Sequence, residues 1–354
     1  YAWWAGDSEV NSVKSLSSLP TGARKGREGA LSIRPTLRPP LRGLSRKDEH
    51  FAVLQDGKPL PLQPVTRSVV MGEDRPDATF RRISQEGGLA VWLVEQAFRP
   101  EELAHLMQLC EQRNGFQPSL QNTNSGQQVV DRRRTSHSCT VQWPLVWGGS
   151  LDVARHRGCS PEVEEELEAA QHLMGLCARV LEIDCSHMEP LQLVKYTPGQ
   201  FYRAHLDTHK EPDRLSSHNG EQRTHTLLVF MVDVPADDGG GHLHFPRLRL
   251  RVLPRAGNAV LWRNVRGAGG EPHPDSLHEG EPPLKCEKVA MNVWAVDRPF
   301  TEASVTAAAL RKQRPTQDAA LSGGPGASGK PSGSEPLLLR RMREWAHDDG
   351  RVAA

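Results

Sequence analysis

Apolar and polar positions divide this chain into three stretches. Residues 1 to about 87 show no sustained period. They hold SLSSLPTGARKGREG and RPTLRPPLRGLSRK, rich in Ser, Pro, Gly and Arg. Such a stretch buries too little apolar surface to offset its chain entropy, which predicts a leader or linker, with a basic contact arm as the alternative. Pattern begins near Gly88. LAVWLVEQAF reads as a strand. Pro100 then opens a helix with Glu101 and Glu102 in its first turn, as the helix dipole favours. Leu103, Leu106, Met107 and Cys110 recur at helical spacing and predict one core-facing stripe.

The run from Asn114 to Ser150 is polar and turn-rich. It predicts a mobile loop followed by a strand near Ser136–Gln142, with Arg132–Arg134 a solvated surface or a loop over a site mouth. A second helix starts at Ser160, an N-cap, and Pro161, at the first helical position. Val163, Leu167, Ala170, Met174, Cys177 and Leu181 give it an amphipathic period over about 20 residues. After Asp184 the period shortens to that of strands: Leu191–Tyr196, Thr226–Val234, Leu248–Leu253, Ala259–Trp262 and Val289–Val296, separated by Gly and Pro. Several short strands at this spacing predict a barrel or jelly-roll sandwich, and helices ahead of strands predict an α+β class with the helices packed on one sheet. From Thr301 the pattern fades. SGGPGASGKPSGSEP is linker-like, and LLLRRMREWAHDD is compatible with a short terminal helix bearing Leu338, Met342 and Trp345 on one side. The expected organisation is therefore a leader over 1–87, a folded domain over 88–300 and a tail over 301–354.

Composition adds limits. The hydrophobic fraction is 37% and Lys plus Arg balance Asp plus Glu to a net charge of +1. This balance, with no basic–aromatic stripe, argues against a nucleic-acid partner. No run reaches the roughly 18–20 apolar residues of a membrane span. Six cysteines occur, none in a C-x-x-C pair, which argues against a zinc ribbon or redox motif and leaves disulfides open.

The candidate chemistry lies between Glu189 and Arg298. His205 and Asp207 form an H-x-D pair near a strand end, where alternation places both side chains on one side of an extended chain. His278 follows in SLHEG, and Lys288 comes ten residues later at the head of VAMNVWAV. Two histidines and one carboxylate are the ligand set of a non-haem Fe(II) oxygenase, and three facial ligands leave three positions open. Neighbouring histidines (His209, His218, His225, His242, His244, His273) compete for the same role, so order and spacing carry the reading. Lys288 starts a run too apolar to be exposed on both sides, and a buried ammonium needs an anionic partner such as the far carboxylate of 2-oxoglutarate.

These motifs taken together resemble the prolyl 4-hydroxylase branch of the Fe(II)/2-oxoglutarate dioxygenases. The pieces are KYTPGQFYRAHLD (195–207), Arg223–Thr226, GGHLHFP (240–246), PRAGNAVLW (254–262), SLHEG (276–280) and EKVAMNVW (287–294). The resemblance spans about residues 88–300 and implies a double-stranded β-helix (jelly roll) with flanking N-terminal helices. It implies Fe(II) on His205, Asp207 and His278, with Lys288 and Tyr196 in the 2-oxoglutarate pocket and Tyr202 and Arg223 near a peptide substrate. It also implies L-ascorbate as the reductant that keeps iron ferrous, a proline-containing peptide or protein as partner, and a lean towards the endoplasmic reticulum. Phe230, Val289 and His242–Leu243 depart from residues common in that branch, which bears on the substrate more than on the reaction. The expected reaction is proline hydroxylation with release of succinate and CO₂. The alternatives are hydroxylation of another side chain or a small molecule, and a non-catalytic or zinc-bound β-helix used for binding. The stretches 114–135 and Lys210–Gln222 are candidates to cover a substrate.

Overall fold

Alternation of inward and outward residues along short strands builds two antiparallel sheets. In chain order, strands Gln192–Tyr196, Arg223–Phe230, Ala259–Arg263 and Lys288–Val296 join one sheet, and Tyr202–His205, Leu243–Phe245, Leu250–Val252 and His278–Gly280 join the other. The chain thus crosses repeatedly from sheet to sheet, which is the winding of a jelly roll. The computed structural model describes residues 53–84, 88–113, 115–122, 128–209, 221–267 and 270–305, all within the unit Leu44–Ala354.

Among the described residues the larger sheet has nine strands and the smaller six. Its central pair, Arg223–Phe230 with Lys288–Val296, matches Thr226 to Trp294 and Leu228 to Asn292. One face of the larger sheet meets the smaller sheet. Leu228, Phe230, Val260, Trp262 and Ala290 pack there against Leu243, Phe245, Leu250 and Val252. Phe245 and Trp262 meet edge-on at 5.2 Å, an arrangement that adds directional preference to area burial. Phe230, one of the departures noted above, is fully buried in this inner cluster.

The opposite face of the larger sheet is covered by helices Pro100–Arg113 and Pro161–Leu181. Leu103, Leu106, Cys110, Ala170, Met174, Cys177 and Leu181 pack with Leu227, Val229, Met291 and Val293. Ser160 caps the longer helix by accepting from Val163 N–H, as its position predicts. A short helix, Leu151–His156, has no counterpart in the sequence reading, because six residues leave too little period to detect.

The domain begins earlier than its composition predicts. Strands Val53–Gln55, Lys58–Pro59, Arg67–Val69 and Ala78–Arg82 all precede Gly88. Val53 pairs with Val252 on the smaller sheet, and Thr79 pairs with Glu95 on the larger one. Val53, Ala78, Phe80 and Ile83 are buried. These segments are stabilised by docking on existing sheet edges, so strands of two to five residues suffice where an averaged composition reads as a leader. The expected leader before residue 53, the segment 210–220 and the expected tail helix at Leu338–Trp345 lie outside the described residues.

Candidate metal centre

The turn before His205 is set by local chemistry. Gly199 has φ +83°, a left-handed conformation that suits glycine, and Thr197 N–H is held by Gln200 Oε1 at 3.0 Å. The chain reverses there and enters strand Tyr202–His205. A register irregularity between Tyr202 and His205 places His205 opposite His278, the first residue of strand His278–Gly280. The strand ends at His205, so Asp207 sits just beyond it in an irregular segment and is fixed by side chains of the larger sheet.

His205, Asp207 and His278 converge as the sequence predicts. Their ligand atoms lie within 4.8 Å of one another. His205 Nε2 is 3.5 Å from Asp207 Oδ1, and His278 Nε2 is 3.7 Å from Asp207 Oδ2. Each imidazole hydrogen-bonds through Nδ1 to a backbone carbonyl: His205 to Arg203 O at 2.8 Å and His278 to Ser276 O at 2.9 Å. Donation from Nδ1 leaves the Nε2 lone pairs aimed at one point, the tautomer a metal ligand requires.

The electrostatics fit the same purpose. Burial pushes the Asp207 carboxyl up, but His278, His205 and Arg223 more than offset it and hold the carboxylate ionised well below its usual range. Burial and the neighbouring His205 push His278 down to about 4, so it stays neutral and able to coordinate. Thr226 Oγ1 donates to Asp207 Oδ2 at 2.6 Å, and Asn264 Nδ2 donates to Thr226 Oγ1 at 2.8 Å. This set fits a divalent ion: one carboxylate, two neutral imidazoles, and outer hydrogen bonds already in place.

Lys288 is 2% exposed and lies across the strand pair from Tyr196. Its Nζ donates to His242 O at 3.1 Å and Glu281 O at 3.4 Å, and sits 4.9 Å from the Tyr196 ring centroid. Among the described residues it has no carboxylate partner within ion-pair distance, and burial pushes it down to about 7. A lysine held this way is ready to receive a carboxylate from a ligand. Burial pushes the Tyr196 phenol up to about 12, so it stays a hydrogen-bond donor. Gly280 faces it closely: a Cβ there would stand 3.1 Å from the Tyr196 hydroxyl.

Tyr202 and Arg223 are both at the centre, in bracing positions. The Tyr202 ring stacks on His205 at 3.5 Å and 17°, and the Arg134 guanidinium lies 4.8 Å over the Tyr202 ring. Arg223 forks onto Glu189 with two contacts of 2.6 Å, lies 3.6 Å over the Trp294 ring, and reaches Asp207 O at 3.5 Å. Its guanidinium is therefore committed largely to Glu189 and Trp294.

Four contributors escaped the sequence reading: Glu189, Thr226 as a hydrogen-bond donor, Asn264 and Arg134. Arg134 is a correction to the reading of Arg132–Arg134 as solvated. It is buried and donates to Ser136 Oγ at 3.1 Å and Gln192 Oε1 at 3.3 Å. Arg132 and Arg133 behave as expected: both are exposed, and Arg133 pairs with Asp131. The available signal was R-T-S, in which alternation places Arg134 and Ser136 on one side.

Residues 191–296 match the family model described as the 2OG-Fe(II) oxygenase superfamily. A protein of Acanthamoeba polyphaga mimivirus, provisionally named a prolyl 4-hydroxylase, is 31% identical over 126 residues, covering 35% of this chain and 51% of the relative. Human prolyl 4-hydroxylase subunit alpha-1 is 35% identical over 118 residues, covering 33% of this chain and 21% of the subunit. The chain thus spans about half the length of the first relative and about a fifth of the second. Among solved structures, viral collagen prolyl hydroxylase of Paramecium bursaria Chlorella virus-1, in a 2OG complex, aligns with a TM-score of 0.39 and 18% identity over 58% of this chain and 95% of that one. The family-model match therefore falls on the segment that carries the centre.

Proposed function

We propose that this chain is an Fe(II)- and 2-oxoglutarate-dependent dioxygenase that hydroxylates a peptidyl proline. The observation that carries the reading is the pairing of a two-histidine, one-carboxylate centre with a buried lysine that, among the described residues, lacks a carboxylate partner, on the segment matched by the 2OG-Fe(II) oxygenase model in a chain with prolyl 4-hydroxylase relatives. His205, Asp207 and His278 hold the iron through Nε2, carboxylate and Nε2. Lys288 and Tyr196 take the far carboxylate of 2-oxoglutarate. When both are bound, O₂ would be the oxidant and 2-oxoglutarate the co-reductant: one oxygen atom would enter succinate as CO₂ leaves, and the other would enter a substrate C–H bond.

The protein's own residues bind, orient and exclude water. Thr226, backed by Asn264, fixes one oxygen of Asp207. The Glu189–Arg223 fork supports the Asp207 backbone from behind. Tyr202, held by Arg134, limits rotation of the His205 ring. Trp262 and Phe245 pack beside His278 at 4.8 and 5.9 Å and keep water from that side. A peptide in extended or polyproline form is the substrate class, with L-ascorbate as the reductant that restores ferrous iron.

The test is succinate release from 2-oxoglutarate with Fe(II), with and without a proline-rich peptide, for wild type and His205→Ala. Peptide-stimulated release, lost in the variant, is the expected result. Release that the peptide does not stimulate would remove proline as the substrate, and no release with iron bound would remove the oxygenase.

A further inference from the structure

A second group of metal-ligating side chains lies on the outer face of the smaller sheet. Strands Leu243–Phe245 and His278–Gly280 run antiparallel, with His244 opposite Glu279 and Leu243 opposite Gly280. Glu281 N–H donates to His242 O at 3.0 Å, which extends the same register by one pair. Leu243 and Phe245 point inward and are buried in the inner cluster. By alternation His242 and His244 on one strand, and Glu279 and Glu281 on the other, share the opposite face. An H-x-H run therefore faces an E-x-E run across two paired strands.

Three of these side chains bring their ligand atoms together, and His242 stands beside Glu281. His244 Nδ1 stands 2.7 Å from Glu279 Oε1 and 3.3 Å from Glu281 Oε1. His242 Nδ1 stands 3.3 Å from Glu281 Oε2, and this buried nitrogen makes no hydrogen bond. The ligand atoms of His244, Glu279 and Glu281 lie within 4.8 Å of one another. Donors about 2.0–2.2 Å from a tetrahedral ion stand roughly 3.3–3.6 Å apart, which two of these spacings match, while the 2.7 Å His244–Glu279 hydrogen bond would have to open to admit an ion. Arg251 Nε donates to Glu281 Oε1 at 2.7 Å, the kind of outer hydrogen bond that orients a ligating carboxylate. Neither catalytic His205 nor Asp207 takes part.

We propose that His242, His244, Glu279 and Glu281 form a second metal site that takes a zinc-class divalent ion. Two imidazoles and two carboxylates are a borderline donor set suited to Zn(II). The ion ties the strand that begins at His278 to its neighbour Leu243–Phe245, so it acts as a clamp on the wall behind the barrel centre. The inference is independent of the oxygenase reading, since it uses other residues and a binding readout.

The experiment uses the full chain, stripped of metal, carrying His205→Ala and Asp207→Ala so that the barrel centre does not compete. Zn(II) is titrated against a chromophoric chelator, and Co(II) is followed by its visible d–d absorption. One tightly held equivalent with tetrahedral Co(II) bands is expected, and Zn(II) raises the melting temperature. Adding His242→Ala and His244→Ala should weaken binding at least ~100-fold and abolish the bands. Glu279→Gln, a near-isosteric change, should weaken it roughly 10-fold or more while the metal-free melting temperature stays unchanged, which guards against a misfolded double variant. No retained equivalent, or one that survives the loss of both histidines or is indifferent to Glu279→Gln, would overturn the proposal.

Discussion

Thr226 Oγ1 donates a 2.6 Å hydrogen bond to Asp207 Oδ2, across 19 positions of chain, and so fixes a ligand that its own strand does not reach. Asp207 follows the end of strand Tyr202–His205, where backbone pairing no longer restrains it. The larger sheet supplies the missing restraint. Thr226→Val keeps the shape and removes the donor. We expect metal affinity to fall about 10- to 100-fold, with Thr226→Ser restoring most of it. Titration of metal-free protein with Fe(II) under anaerobic conditions, or with Co(II), checks this. Unchanged affinity in Thr226→Val would show that Asp207 is held by other means.

The proposed role of Lys288 predicts that 2-oxoglutarate binding depends on pH. Burial, against the smaller opposing effects of Glu281 and Cys286, lowers the lysine from its ordinary 10.5 to about 7 in the ligand-free protein. A carboxylate ligand needs the ammonium. Above pH 7 binding must therefore take up a proton, and affinity should weaken by about tenfold per pH unit, levelling off below 7. Calorimetry in two buffers of different ionisation enthalpy measures that uptake directly. The sign for stability follows from the same linkage. Between about 7 and 10.5 the unfolded chain holds the proton and the folded one does not, so ligand-free protein gains stability as pH rises through that window. Lys288→Met should melt higher than wild type at pH 7, and the difference should shrink towards pH 10.5.

The elements that were legible and those that were not differ in where their determinants lie. His205, His278 and Lys288 each open or close a strand whose period is visible locally, so alternation places them. The helix Pro161–Leu181 carries its own cap and stripe. Glu189 and Asn264 act through partners that are remote in sequence, and Arg134 through one remote partner besides Ser136. Glu189 meets Arg223 over 34 positions, and Arg134 meets Gln192 over 58. Nothing within a window of ten residues distinguishes such a Glu from a solvated one, and for Arg134 only the alternation with Ser136 does. The strands over 53–82 were missed for the same reason, since their stabilisation comes from the edges they dock on.

Glu189 and Arg223 form a largely buried ion pair beside Asp207. Burial opposes the Glu189 charge, but Arg223 and then His209 more than compensate and hold the carboxylate far below its usual range. This stabilisation is complete above the ordinary carboxylate value of 4.5 and is lost as pH falls from there towards the depressed folded value. Arg223→Met alone strands a buried carboxylate and should destabilise the protein by about 3–5 kcal/mol. The double variant Arg223→Met/Glu189→Gln should recover much of that loss. Denaturant melts at pH 7 measure both. If the single and double variants are equally unstable, the fork is not what holds this region.

The stack of Tyr202 on His205 separates bracing from substrate contact. The rings lie 3.5 Å apart at 17°, so the aromatic face, independently of the hydroxyl, restrains the imidazole beside its hydrogen bond to Arg203 O. Tyr202→Phe keeps that face. Tyr202→Ala removes it and frees the ring to rotate away from the line shared with His278. We expect metal affinity to be unchanged in Tyr202→Phe and to fall several-fold in Tyr202→Ala, read by the same Co(II) titration. The hydroxyl is then tested separately by turnover. If it meets a peptide, Tyr202→Phe should raise KM for the peptide with kcat and metal affinity intact, because it would remove uniform binding without disturbing the centre. If Tyr202→Phe leaves KM unchanged, Tyr202 serves the iron ligand and has no share in substrate recognition.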